Sequence, residues 1–300
     1  MRCLIPIVAC LGASLLPWPS ISRAARPPQT DGEPSPSERK TLFAKMIENQ
    51  HVNDRALEIY ERVERRELRP HAGDVPADED RTYRIVPTGT GTVRVQTQDH
   101  GRAVPPAEYR KQMTDLVQAL EAVLDSKNPR SRDDFAKRDR RTRERSEIID
   151  ATREAYTATW LGREQRASHV LLKFRLDPNP AYKAHTRAME FMSHTRATIW
   201  IDEKSSNLVQ LEGEVVSDVS FGAGIGKVYR GGKLFMRQDE VEPGIWLPTF
   251  YQTDFTGRKI FFLFETHERI ITTAYRKIGP PAQALAEIKR ELASTGGRTP

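Results

Sequence analysis

The chain has 300 residues, with 47 Lys and Arg against 41 Asp and Glu and only two cysteines, Cys3 and Cys10. A formal charge of +6 in a sequence that is 29% charged with both signs is a modest excess. It suits an anionic lipid surface better than nucleic acid and argues against a nucleic-acid partner.

Met1 to Ala24 has the build of a secretory signal: Arg2 as a basic start, an apolar run from Cys3 to Trp18, and Ser22-Arg23-Ala24 with small residues at the cleavage-determining positions. The competing lipobox reading of Ile7-Val8-Ala9-Cys10 is weaker, because the apolar run continues through Leu16. Removal of residues 1–24 takes away both cysteines. Export then leaves a chain held by packing alone, without disulfide or thiolate chemistry, periplasmic if the cell is Gram-negative. Residues 25–38 are Pro-rich and polar and read as a disordered leader. The expected domain is a single one over 39–278, with a long charged helical insertion at about 106–150 and a C-terminal helix and tail over 279–300.

Leu42, Phe43, Met46 and Ile47 stand at helical spacing within Arg39 to Gln50. Arg55 to Leu68 alternates as a strand. Thr82 to Val86 and Thr92 to Gln98 are expected to pair through the Thr88-Gly89-Thr90-Gly91 turn. After Pro105-Pro106, the residues Tyr109, Met113, Leu116, Val117, Leu120 and Leu124 form one stripe on a long helix. Such a stripe needs a surface to lie on, and the C-terminal strands offer the largest apolar one, so Tyr109, Met113, Leu116, Val117 and Leu120 are expected to form a lid. Arg130 to Glu147 is almost wholly charged and reads as a solvated helix or linker. Glu154 to Arg166 and Ser168 to Leu176 form a further expected hairpin, turning near Gly162 or Gln165, and Asp177-Pro178-Asn179-Pro180 ends it.

Ala197 to Arg276 alternates as one antiparallel meander. Val209, Leu211 and Val215 are expected on one face. Ile260, Phe262, Phe264, Ile270 and Thr272 are expected to share the greasy face of the last hairpin. That gives an α+β fold: a curled antiparallel sheet, a half-barrel, with helices covering its concave face. Within it Trp200-Ile201-Asp202, the strand Asn207-Leu208-Val209-Gln210-Leu211-Glu212 and the segment Val241-Glu242-Pro243-Gly244-Ile245-Trp246-Leu247-Pro248-Thr249 resemble the C-terminal half of bacterial outer-membrane lipoprotein-sorting carriers, over roughly Ala155 to Arg276. The resemblance implies an exported half-barrel whose hydrophobic face holds acyl chains.

Taken with the apolar face, this makes Val209, Leu211, Val215, Trp246, Phe250, Ile260, Phe262, Phe264 and Ile270 the candidates for an apolar ligand cavity. Trp200, Trp246 and Phe250 serve equally well as plain core. The expected function is a non-enzymatic, monomeric carrier of lipid or lipoprotein acyl chains, able to touch an anionic membrane surface transiently. The alternative is an envelope interaction or sensor module with a filled core.

No cofactor or metal is expected. Gly222-Ala223-Gly224-Ile225-Gly226 lacks the following helix of a phosphate loop. His267-Glu268 begins a zinc-protease motif, but Ile271 stands where its second His belongs. Ser220 lacks the first Gly of a nucleophile elbow. Asp202, Glu203 and Asp218 could meet as paired carboxylates, although strand-end turns explain them as well.

Overall fold

The computed structural model describes residues 32–71, 76–125, 127–222, 225–260 and 262–294. The expected signal segment 1–24, the first half of the expected leader (25–31) and Ala223-Gly224 lie outside the described residues. In chain order the elements are α1 (Pro36–Ala56), β1 (Tyr60–Arg69), β2 (Glu79–Pro87), β3 (Thr92–Asp99), β4 (Arg102–Ala103), α2 (Pro106–Leu124), α3 (Pro129–Ala155), β5 (Tyr156–Arg166), β6 (His169–Pro178), α4 (Arg187–Ser193), β7 (Thr195–Asp202), β8 (Leu208–Val215), β9 (Val219–Phe221), β10 (Gly226–Val228), β11 (Lys233–Glu242), β12 (Ile245–Lys259), β13 (Phe262–Lys277) and α5 (Pro281–Ser294). The class is α+β with an antiparallel sheet, as the sequence leads one to expect.

The chain divides into two compact units. The first comprises the described residues of Met1–His51, Glu67–Asp78 and Ile148–Ile270; the second comprises Val52–Arg66, Glu79–Glu147 and the described residues of Ile271–Pro300. In the first unit the ladder runs β13-β12-β11-β8-β7-β6-β5, with β10 paired to both β12 and β9. In the second it runs β4-β3-β2-β1-β13.

Helix α1 starts three residues before the expected position because Ser35 and Glu38 cap it reciprocally. The Glu38 amide donates to Ser35 Oγ at 3.3 Å, and the Ser35 amide donates to Glu38 Oε2 at 2.7 Å. Pro36 takes the first helical position, where a missing N–H costs nothing. The α1 stripe of Leu42, Met46 and Ile47, with Phe43 partly buried beside it, packs on Leu172, Phe174, Leu176, Ala197, Ile199, Ile201 and Leu208. The Phe43 ring meets Phe174 edge-on at 5.2 Å.

The second unit's core joins Val86 and Val95 of the β2–β3 hairpin to Met113, Leu116 and Leu120 of α2 and to Ala284 and Ile288 of α5. This corrects the expected lid. Tyr109, Met113, Leu116, Val117 and Leu120 find their apolar partners in β2, β3 and α5, and the helix over the first unit's apolar face is α1. The physical reason is in α5. Its Ala284, Leu285, Ile288 and Leu292 form a second stripe that complements the first.

Two further corrections concern register. The β5–β6 hairpin turns at Ala167-Ser168, with Arg166 paired to His169 and Ala167 in the left-handed region at φ 52°. In β8 the ladder slips between Trp200 and Ile201, which pair with Gln210 and Leu208, so Val209 is the extra residue of a bulge. A bulge reverses the side-chain alternation beyond it. Val209 therefore joins Leu171, Trp200 and Trp246, whereas Leu208 and Leu211 pack with the α1-covered cluster.

Gly257 on β12 tolerates no side chain. A Cβ there would come within 2.7 Å of the Phe264 ring and would also overlap the Lys227 carbonyl oxygen of β10. Since the backbone partner cannot rotate away, Gly257→Ala is expected to destabilise the protein by about 2 to 3 kcal/mol. A thermal melt that superimposes on the wild type would show that the β10–β12 pairing is dispensable.

Candidate functional site

The covered face of the first unit is apolar at β6, β7 and β8 and becomes polar toward α1's C-terminal turns. Gln238, fully buried, donates to the Leu208 carbonyl at 2.9 Å and to Gln50 Oε1 at 3.1 Å. Asn49 Nδ2 donates to the Ser205 carbonyl at 2.8 Å. Thus α1 is tied down by one stripe of apolar contacts and by side-chain hydrogen bonds at one end.

The candidate cavity residues fall in several places. Val209 and Trp246 are buried together with Leu171 and Trp200, and the His169 ring meets Trp246 edge-on at 5.5 Å. Trp200 donates its indole N–H to Glu164 at 2.8 Å, and Lys173 Nζ lies 4.6 Å from its ring centroid. Val215 packs with Val219, Val228 and Phe255, and Leu211 sits half-buried on the α1-covered cluster. Phe250 is half-buried, edge-on to Phe235 at 5.5 Å. Phe264 lies half-buried by Gly257, and Ile270 is half-buried.

Ile260 and Phe262 are the exceptions, at 49% and 77% exposed. They are not cavity lining. They stand with Leu263, 77% exposed, and Ile225, 59% exposed, at the turn between β12 and β13, where the Ile260 amide donates to the Ile225 carbonyl at 2.6 Å.

The face expected to be nearly pure hydrocarbon also carries Glu268. By strand alternation it shares a parity with Phe262, Phe264 and Ile270, and it is 0% exposed. Burial pushes its carboxyl up to about 8. Its neighbour His267 holds Asp254 Oδ1 at 2.9 Å through Nδ1. The helical zinc-protease pattern is excluded here, since His267 and Glu268 lie on a strand, where consecutive side chains point to opposite faces.

The carboxylates weighed as a pair are held apart by separate partners. Asp202 contacts the His169 ring at 2.8 Å and accepts the Ser205 amide at 2.7 Å. Burial pushes its carboxyl up, but the Ser205 and His169 bonds outweigh that and hold it below the usual range. Glu203 pairs with Arg163 at 2.7 Å, and Asp218 pairs with Lys227 at 2.7 Å and accepts the Arg230 amide. His194 is bonded to Ser217 and Glu190. Among the described residues no three His, Cys, Asp or Glu side chains stand close enough together to hold a metal, and no helix is long and apolar enough to cross a membrane.

No protein-family model matches the chain, and no curated protein matches it either. Among solved structures it is similar to a DUF1329 family protein from Desulfovibrio piger, at 11% identity over 79% of this chain and 92% of that one, with a TM-score of 0.30. It is also similar to a domain from Vibrio parahaemolyticus provisionally assigned as an outer membrane lipoprotein-sorting protein, at 8% identity over 83% of this chain and all of that one, with a TM-score of 0.33. What the protein does has to be argued from its own residues.

Proposed function

We propose that the chain is an exported, non-enzymatic carrier of lipid or lipoprotein acyl chains, in which α1 is the displaceable cover of the binding face. The supporting observation is the composition of that cover. Over the apolar side chains of β6, β7 and β8, α1 spends only Leu42, Phe43, Met46 and Ile47, while most of its other described side chains are polar. Burying four such side chains contributes roughly 6 to 12 kcal/mol. An acyl chain of about a dozen methylenes, at about 0.8 kcal/mol each, contributes roughly 10 kcal/mol on the same surface. On apolar burial alone the two occupants are near balance, which is the condition for loading and release.

Cysteine usage supplies a clean test, because both native cysteines lie in the signal segment expected to be removed. Asn49→Cys with Ser205→Cys, the pair joined by the α1 hydrogen bond, locks the cover when oxidised. The reduced variant and the wild type are expected to bind a fluorescent fatty acid, and the oxidised variant is expected to lose at least about tenfold in affinity, as a site that must open demands. Equal binding in both redox states, or none in the wild type together with no lipid in an organic extract, would leave the filled-core interaction module as the better reading.

A further inference from the structure

We infer that the β12–β13 turn is a membrane-docking tip that inserts Phe262 and Leu263 into the interface of an anionic lipid bilayer. The inference rests on the carrier reading only for its purpose, since it names the surface from which an acyl chain would be taken or to which it would be given. Four large apolar side chains, Ile225, Ile260, Phe262 and Leu263, stand together in the open. They come from two turns joined by the Ile260–Ile225 backbone hydrogen bond and by the Gly226–Lys259 register of β10 on β12. Scattered exposed apolar residues need no explanation, but a group gathered on two turns that are hydrogen-bonded to each other marks a contact surface.

The charge around the tip selects the partner. Arg258 and Lys259 precede it directly, and the Arg187 guanidinium lies beside Gly222 at the base of the neighbouring turn. All three are exposed, and none has an ion-pair partner among the described residues. Of the nearby acids, Asp218 is paired with Lys227, and Glu265 lies 3.7 Å from His71 and 3.8 Å from His267. An apolar wedge with unneutralised cations at its base matches the acyl boundary and the anionic headgroups above it. A second copy of this chain would meet the same three cations and be repelled.

Ile260 adds an argument from the backbone. It sits at φ 59°, a left-handed conformation that a β-branched residue adopts at a steric cost and glycine adopts freely. The side chain held there is the costlier choice for the fold, so its value lies in what it touches outside.

The test is co-sedimentation of the mature chain with vesicles of phosphatidylcholine containing phosphatidylglycerol, against phosphatidylcholine alone. Binding is expected to the anionic vesicles, weakening as salt shortens the screening length. Arg258→Gln and Lys259→Gln are each expected to lower it about fivefold, and Phe262→Ser with Leu263→Ser at least about tenfold. Ile260→Gly separates contact from folding, since vesicle binding is expected to fall while the melting temperature holds or rises. Wild-type binding by the Phe262, Leu263 and Ile260 variants overturns the inference, and so does equal binding to neutral vesicles. Self-association of the wild type that Phe262→Ser abolishes, without vesicle binding, assigns the tip to a second copy. Fatty-acid binding without vesicle binding defeats the tip and leaves the carrier reading standing; the reverse result defeats the carrier reading alone.

Discussion

Arg84→Met is expected to cost the protein about 3 to 5 kcal/mol, the loss seen when one partner of a buried ion pair is removed and the other is left charged. Arg84 on β2 joins two carboxylates. Its Nε and Nη2 donate to Glu61 Oε2 at 3.1 and 3.0 Å, and its Nη1 donates to both oxygens of Glu291 at 2.8 and 2.7 Å. Glu61 also receives Arg276 through Nε at 2.8 Å and Nη2 at 2.6 Å, and Arg276 reaches on to Glu287. The second unit thus carries an alternating row, Glu291, Arg84, Glu61, Arg276, Glu287, running from α5 across the sheet and back.

Burial by itself would push Arg84 toward its neutral form, yet the bonds to Glu291 and Glu61 more than offset it and raise its affinity for the proton. Removing the guanidinium leaves three carboxylates facing one remaining arginine. Against a usual total of about 5 to 15 kcal/mol, that is a large fraction of the stability. Urea unfolding should show the midpoint moved down with an unchanged slope. Arg84→Lys should fall between the two, because an ammonium keeps the charge but cannot fork toward both carboxylates. A loss under about 1 kcal/mol for Arg84→Met would mean that solvent screens the row as it screens surface pairs.

How much of this was legible beforehand differs from element to element. The α2 stripe from Tyr109 to Leu120 was readable as a stripe because 3.6-residue periodicity is local. Its partner was not readable, because periodicity says that a face is buried and never against what. The complementary row on α5, Ala284, Leu285, Ile288 and Leu292, was the unused signal. Likewise Ser35-Pro36-Ser37-Glu38 spells a capping box, but it lies in a Pro-rich stretch whose composition outweighed the motif.

The bulge at Val209 is a failure of a different kind. Nothing in Leu208-Val209-Gln210-Leu211 forces two residues to oppose one, and the slip is decided by how Trp200 and Ile201 dock on the neighbouring strand. The exposure of Ile260 and Phe262 is hidden from the sequence for a related reason. Alternation groups Phe262 and Phe264 on one face of β13, with Ile260 in the turn before it, yet it cannot tell where neighbouring strands stop covering that face. Phe264 is still beneath Gly257, whereas Phe262 is past the cover. The Trp200 and Trp246 cluster could not have been settled from sequence either. A tryptophan on a strand suits core and ligand contact alike until Glu164, Lys173 and His169 are seen to enclose it.

Glu268→Gln is expected to stabilise the protein, and to do so more strongly as the pH rises from 5 toward 8. The Glu268 carboxyl, fully buried on β13, is pushed by burial from the ordinary 4.5 up to about 8. In the folded protein it keeps its proton through neutrality, while in the unfolded chain it gives the proton up above about pH 4.5. Unfolding therefore releases a proton throughout that window, and stability falls as pH rises, by up to about 1.4 kcal/mol per pH unit. Below about pH 4.5 both states are protonated and the penalty vanishes. Above about 8 it is fully present.

Gln carries no titrating proton and nearly the same shape, so the variant should gain roughly 3 kcal/mol at pH 7 and nothing at pH 4. Arg269 lies 3.6 Å from Glu67, with Arg69 beside it, and His267 stands against Asp254. Glu268→Gln leaves all of these groups in place, so the difference between variant and wild type isolates the carboxyl. Stability measured by denaturant unfolding at half-unit steps of pH would decide it. Parallel curves for wild type and Glu268→Gln would mean that the carboxyl is ionised in the fold and held by a neighbouring cation, in which case the variant should lose stability at every pH above about 4.5.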